Sequence, residues 1–227
     1  MATFILRLWL PDRPGALGAV ASRVGAVGGD VVGIEILERG ADRAIDELVI
    51  EIPDAGLVDL LISEIEQVDG VAVEEVRPLA DALHDPRLDA LEIAAILVGA
   101  STPTGVLDAL CEHSIRTIGA RWGAVVELDA AESVSSRGEA PPSGWLAAFV
   151  AGSQSAARAG EGAGEPNDVL WAPLPAAGAA LVLGRDRLAF RTRERRQAAA
   201  LARIADTRFR ELHLLCSRTA HPASRQR

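Results

Sequence analysis

Residues Pro11-Asp12-Arg13-Pro14-Gly15-Ala16-Leu17 sit where an alternating apolar run gives way to a helical pattern. A tight turn that opens a helix presents backbone N–H groups with no intrahelical partner, at the positive end of the helix dipole. Such a place suits an anion, for example an amino-acid carboxylate. Gly15, Ala16 and Leu17 would supply the N–H groups, and Asp12 offers a carboxylate to the ammonium of the same molecule. Arg13 lies inside the turn and is counted with the site. The same residues also suit a plain strand-to-helix turn, with Gly15 for backbone freedom and Pro14 at the helix start.

Other chemistry finds little support. In Cys111-Glu112-His113, three consecutive residues on a helix point to different faces and cannot converge on one substrate atom. The chain has no G-x-S-x-G elbow, no H-E-x-x-H and no P-loop, and Gly160–Gly164 lacks the strand–turn–helix setting of a dinucleotide site. His84, His113, His213 and His221 show no metal-binding spacing. Cys111 and Cys216 are far apart in helical patterns, so both are expected to be buried thiols in a reducing cytoplasm. The expectation is therefore a protein without catalytic residues, cofactor or metal.

The 227 residues allow one large domain or two small ones, and 49% hydrophobic content is enough for packed cores. All 23 basic residues are arginine. Residues 1–80 carry net charge −9, residues 81–184 net −8 and residues 185–227 net +8. An acidic body disfavours long-range attraction to nucleic acid or anionic membrane. The Arg-rich end (Arg185, Arg191, Arg195, Arg208 and neighbours) reads as a solvated helix face docking on acidic surface of the same or a neighbouring subunit. Contact with nucleic acid or an acidic partner is the alternative. The N-terminal residues lack a basic region followed by a long apolar one, and no apolar stretch reaches membrane-spanning length, so a cytoplasmic location is expected.

Residues 3–10 alternate, with Phe4, Leu6, Leu8 and Leu10 on one face and Ile5, Arg7 and Trp9 on the other, as in a strand with one buried face. Leu17, Val20, Ala21, Val24 and Val27 follow a helical repeat that Gly28-Gly29 ends. Residues 31–38 alternate again through Val32, Ile34 and Ile36. A hairpin turn at 39–42 leads to a third strand over 44–52, with Leu48, Ile50 and Ile52 facing in. Asp54 can cap the next helix, marked by Leu57, Leu61, Ile65 and Val68. Asp69-Gly70 ends it, and 71–76 make a last short strand. The order βαββαβ implies an antiparallel sheet with two helices on one face.

Residues 3–79 resemble an ACT domain, a regulatory module that binds amino acids. The resemblance is carried by Asp12-Arg13-Pro14-Gly15-Ala16-Leu17 after the first strand, Gly28-Gly29-Asp30-Val31 leading into the second, and Val68-Asp69-Gly70-Val71 before the fourth. It implies a ferredoxin-like fold, a homodimer, and a ligand held at the turn by Asp12, Arg13, Gly15, Ala16 and Leu17. It also implies that Asp30, entering the second strand, faces the ligand across the dimer interface. Some ACT sites place a polar side chain just before the turn. Here Leu10 and Pro11 stand there, which points to an apolar amino acid.

Residues 80–90 read as a linker running into a helix. Two helices follow, 88–98 and 104–118, with Ser101 or Thr102 as a cap ahead of Pro103. Then come a strand at 121–128, a loop or weak hairpin at 130–143, a short helix at 144–158, and a flexible loop at 159–168. Paired strands at 169–174 and 179–185 precede a long helix at 193–216, with Leu201, Ile204, Ala205, Phe209, Leu212 and Leu215 on one stripe. Residues 91–218 resemble a GAF domain, a small-molecule sensing module, followed by a flexible tail at 219–227. That resemblance rests on Trp171-Ala172-Pro173-Leu174, Ala180-Leu181-Val182-Leu183-Gly184-Arg185, Phe190 and the helix from Glu194. The middle, 129–168, is short and Ala/Gly-rich for a GAF ligand pocket. The fold class expected is α+β: a ferredoxin-like ACT domain, then an α/β GAF-like domain with a long C-terminal helix.

Together these features imply a soluble, non-enzymatic regulatory homodimer that binds a small molecule, most simply an amino acid, at the turn and responds allosterically. The rival is a ligand-free dimerisation and protein-interaction module that docks a partner enzyme or transcription regulator.

Overall fold

The computed structural model describes residues 1–40, 42–79, 86–159, 167–186 and 188–220. The chain divides into two compact units, Met1–His84 with Arg191–Arg193, and Asp85–Phe190 with Glu194–Arg227. The class is α+β, with two antiparallel four-stranded sheets and six α-helices among the described residues. None of those helices is long and apolar enough to cross a membrane.

The first unit runs β1 (Ala2–Pro11), α1 (Ala16–Ala26), β2 (Asp30–Gly40), β3 (Arg43–Ile52), α2 (Val58–Ile65) and β4 (Ala72–Pro78), with a 3-10 turn at Ala55–Leu57 before α2. Sheet order is β2-β3-β1-β4. Asp54 caps the 3-10 turn as expected, accepting from the Gly56 N–H at 2.8 Å. The core packs Leu6, Leu8 and Leu10 of β1 and Leu48, Ile50 and Ile52 of β3 against Val20, Val24, Leu61 and Ile65 of the helices.

Two expectations about faces need correction. β1 is buried on both faces, since Ile5 and Arg7 are buried alongside Leu6 and Leu8. β1 is an interior strand, and Arg7 lies directly opposite Glu47 of β3 and bonds it at 2.7 Å, which lets the charge leave water. Conversely, Val32, Ile34 and Ile36 are 48%, 54% and 43% exposed. β2 is an edge strand with irregular register at Val31/Gly33 and Ile36/Glu38, and it carries these side chains beyond the buried core.

The second unit runs α3 (Pro86–Gly99), α4 (Pro103–Ile118), β5 (Trp122–Glu127), β6 (Ser133–Arg137), α5 (Ser143–Ala159), β7 (Val169–Leu174), β8 (Ala179–Gly184) and α6 (Thr192–Ala220). Its sheet order is β6-β5-β8-β7. Thr102 is the cap of α4, accepting from the Gly105 N–H at 3.1 Å, with Pro103 in the first turn. The 130–143 stretch holds a true hairpin strand, β6, paired with β5. Trp122 pairs across from Gly184, where a Cβ would lie 2.1 Å from the indole, so only glycine admits the ring there. One sheet face is covered by α4 and α6 through Leu110, Leu181, Leu183 and Leu201. The other is covered by α5, whose Leu146 and Val150 pack on Ala124, Val126, Ala180 and Val182. Small sheet residues let α5 sit close.

Of the expected linker, residues 80–85 lie outside the described residues, and 86–90 are the first turns of α3. Most of the expected loop at 159–168 and residues 221–227 of the tail also lie outside them. Cys111 is buried as expected, but Cys216 is exposed, as is Leu215. The last periodic apolar position of α6, Leu215, thus lies outside the buried core that Leu201 and Leu212 join.

Candidate functional site

The turn after β1 is built from local rules. Pro14 restricts the backbone, and Gly15 turns it with φ +89°, a left-handed conformation that a side chain would strain. Gly15 is the N-cap of α1 and supplies no side-chain capping bond, and no acid stands in the first turn. The Ala16 N–H is engaged by the Arg13 carbonyl at 3.3 Å, and the Ala19 N–H by the Gly15 carbonyl at 2.9 Å. The N–H groups of Leu17 and Gly18 make no backbone hydrogen bond among the described residues. A Cβ on Gly15 or Gly18 would meet nothing within 4 Å, so the approach to the helix start is open.

Asp12 is anchored rather than free. Its N–H donates to the Asp42 carbonyl at 2.9 Å, and its carboxylate accepts from the Arg39 guanidinium at 2.6 Å. These contacts tie the β1–α1 turn to the β2–β3 hairpin. Asp42 has φ 64°, which aspartate tolerates in a tight hairpin. Arg13 is exposed, Ala16 is buried, and Leu17 is half-buried at the core margin.

Asp30 lies elsewhere in the same chain. It pairs with Glu51, which pairs with Thr3, whereas the turn follows Pro11. Eight strand residues separate the two ends of the sheet, about 26 Å at 3.3 Å per residue. The fold thus gathers Asp12, Arg13, Gly15, Ala16 and Leu17 and leaves Asp30 at the far end of β2.

One residue at the turn and one on the sheet escaped the sequence reading. Gly18 is the third residue of α1 and adds an open N–H. Asp46, on β3 between Leu8 of β1 and Ile36 of β2, is 5% exposed, and its Oδ1 has no hydrogen-bond partner among the described residues. Burial pushes its carboxyl up, with Asp12 adding to the shift and Arg39 opposing it. The two adjacent acids in the run Ile45-Asp46-Glu47-Leu48 could have flagged it, since one of two adjacent strand residues must face the helices.

The second unit offers less. Cys111 is buried, Glu112 exposed and His113 half-buried, as three faces of one helix require. Burial pushes the Cys111 thiol up, away from the reactive thiolate. Much of the Arg-rich end is structural. Arg185 is buried in a bidentate pair with Glu194 at 2.7 and 2.9 Å and stacks on Phe190. Arg208 donates to the Ala100 carbonyl at 2.9 Å. A groove of about 390 Å³ between α3 and α6 is walled by Val98, Ala200, Ile204 and Arg208. No group of three or more His, Cys, Asp or Glu among the described residues is placed to hold a metal ion.

No family model matches the chain. No curated protein matches it either. Several solved structures are similar. A formyltetrahydrofolate deformylase from Pseudomonas putida is 20% identical, with 43% of this chain and 38% of that one covered and a TM-score of 0.28. The ACT domain from the GTP pyrophosphokinase of Chlorobium tepidum is 13% identical, with 37% of this chain and 91% of that one covered and a TM-score of 0.27. A protein from Galdieria sulphuraria described as unknown is 11% identical, with 91% of this chain and 92% of that one covered and a TM-score of 0.32. The chain spans well under half of the deformylase, at 38% of its length.

Proposed function

We propose that this chain is a regulatory protein whose first unit, an ACT-like domain, binds an amino acid at the start of α1. The carrying observation is the left-handed Gly15 that opens α1 without a side-chain cap, leaving first-turn N–H groups exposed at a positive helix end. The ligand carboxylate would sit on Leu17 and Gly18, with Gly15 and Ala16 shaping the turn and Arg13 at its rim. The reading includes no catalytic step, cofactor or metal, and a cytoplasmic location.

A homodimer belongs to this reading. β2 is an edge strand carrying exposed Val32, Ile34 and Ile36. An uncovered strand of this kind invites pairing with a second copy. A two-fold axis beside β2 would run the two strands antiparallel. The Asp30 end of one copy would then meet the Gly40 end of the other, beside the turn. That arrangement gives Asp30 a role that one protomer alone does not. The GAF-like reading of residues 91–218 is supported by the order of a helix pair, β5–β6, α5, β7–β8 and a long final helix.

The test is a thermal-shift screen of the full chain against the twenty amino acids. Stabilisation by one of them, abolished in Gly18→Glu, is the expected result. Gly18→Glu has room for its side chain and places a negative charge where the carboxylate would bind. A flat screen at millimolar ligand would favour the interaction module instead. Close packing of α5 on the second sheet, with Leu146 and Val150 buried, is the observation that favours that alternative for the second unit.

A further inference from the structure

α3 is apolar on two sides. Ile93 and Leu97 are buried in the core of the second unit, while Leu88, Leu91 and Val98 are 52%, 68% and 56% exposed. With the exposed Ala95, these side chains recur at spacings of three, four and three, so they form one row along the outer side of the helix. A surface helix ordinarily turns charged and polar residues outward, and an outward apolar row marks a contact surface. The row ends at the groove between α3 and α6, which Val98 lines together with Ala200, Ile204 and Thr207.

α6 supplies the charge. Arg195 donates to the Phe190 and Val169 carbonyls, Arg208 to the Ala100 carbonyl and to Glu211, and Arg210 pairs with Asp206. Arg196 and Arg203 are exposed, and neither guanidinium has a hydrogen bond or ion pair among the described residues. Arg203 lines the groove, and Arg196 lies one turn before Ala200 on the same side of α6. The two stand about 10 Å apart along the helix axis. On the opposite wall, α3 carries the exposed Glu92.

We propose that the α3–α6 groove docks an amphipathic helix of a partner protein. Its apolar row lies against Leu91, Ala95 and Val98, and acidic side chains along its α6 edge meet Arg196 and Arg203. Charge complementarity selects this occupant. Carboxylates beside an apolar row satisfy both guanidiniums, whereas a basic row would add to their repulsion. Glu92 gives the other wall the opposite sign, which fixes the edge on which the acids belong. An anionic lipid surface is held by clusters of about four to eight basic residues, and two are too few. A small molecule filling the groove, about 390 Å³, would leave Leu91 in water about two turns along α3. The surface owes nothing to the turn that opens α1, and the reading of either fails or stands alone.

The experiment is fluorescence anisotropy of two labelled peptides of about 20 residues, long enough to form a helix, titrated with the full chain. Both carry a leucine row at helical spacing. One has glutamate along one edge and glutamine elsewhere, and the other has lysine in place of each glutamate. Wild type is compared with the double variants Arg196→Glu with Arg203→Glu and Leu91→Ser with Val98→Ser. Wild type should bind the glutamate peptide about tenfold or more tightly than the lysine peptide. The arginine variant should reverse that order, and the serine variant should weaken the glutamate peptide about tenfold or more. All four substituted positions are exposed, so melting temperatures should match wild type. Equal binding of the two peptides by wild type, binding of neither, or an affinity for the glutamate peptide that either variant leaves unchanged overturns the proposal. So does sedimentation in which Val98→Lys, and not Ile34→Lys, dissociates the protein, since a second copy would then cover the groove. Should a variant fail to fold, the two peptides on wild type decide alone.

Discussion

At the scale of single residues, two acids adjacent in sequence behave in opposite ways. Glu47 accepts from Arg7 at 2.7 Å and from Arg77 at 3.4 Å, and these two cations hold its carboxyl below the usual range despite burial, the largest opposing effect. Its stabilising contribution is present above the ordinary glutamate pKa and is lost as pH falls through its lowered folded value. Glu47→Ala removes the carboxylate that meets the buried Arg7 guanidinium and should cost about 3–5 kcal/mol in urea unfolding at neutral pH. Replacing both partners, Arg7→Met with Glu47→Leu, should recover most of that loss. Asp46 has the reverse sign. Its carboxyl is raised, so its ionised form burdens the fold above the raised value, and the burden lifts as pH falls through it. Asp46→Asn should therefore stabilise the unliganded protein by about 1 kcal/mol at neutral pH, with the gain over wild type shrinking in mild acid. Denaturation midpoints of the two proteins across pH check this.

At the scale of elements, helix starts and strand edges matter most. α4 begins with Thr102 as N-cap and Pro103 in its first turn, and α1 begins with a left-handed glycine and no side-chain cap. One start is closed by its own side chain; at the other, the Leu17 and Gly18 N–H groups make no backbone hydrogen bond among the described residues. Thr102→Ala should cost about 1 kcal/mol, read as a lower melting temperature without change in ligand response. Asp206 does a similar job at a distance, accepting from the Ala176 N–H at 2.8 Å across the 3-10 turn between β7 and β8. The β2 edge supplies the third case. Ile34→Lys places a charge at the centre of the exposed apolar row, a device that blunts edge pairing. On the proposed β2-edge homodimer, sedimentation should show wild type as dimer and this variant as monomer with its secondary structure retained.

At the scale of the whole molecule, each of the two compact units has its own apolar core. Chains built of separate cores need not unfold in one step. Calorimetry should resolve two transitions. An amino acid that binds the α1 turn should raise only the transition of the first unit. At about one hundred times its Kd, that ligand adds about 2.7 kcal/mol to the unit it binds. A rise of both transitions together would count against a site confined to the first unit.

Much of this architecture was written in local pattern. Period-two runs at 3–10 and 44–52, the helical repeat from Leu17 to Val27, the caps at Asp54 and Thr102, and the glycine-bearing turns are short-range signals, and the elements formed where they pointed. The turn at Asp12–Leu17 was legible for the same reason, because its conformation is decided by residues next to one another. Strand order was not a local matter. Only the tertiary structure decided that β2 is an edge, exposing Val32, Ile34 and Ile36, and that β1 is interior, burying Arg7 against Glu47. It alone parted Asp30 from the turn by the length of the sheet. It also brought Arg39, more than twenty-five residues beyond Asp12 in sequence, to the turn's side. Periodicity reveals that a strand has two faces. What each face meets is a question of long-range pairing, which composition and spacing do not encode.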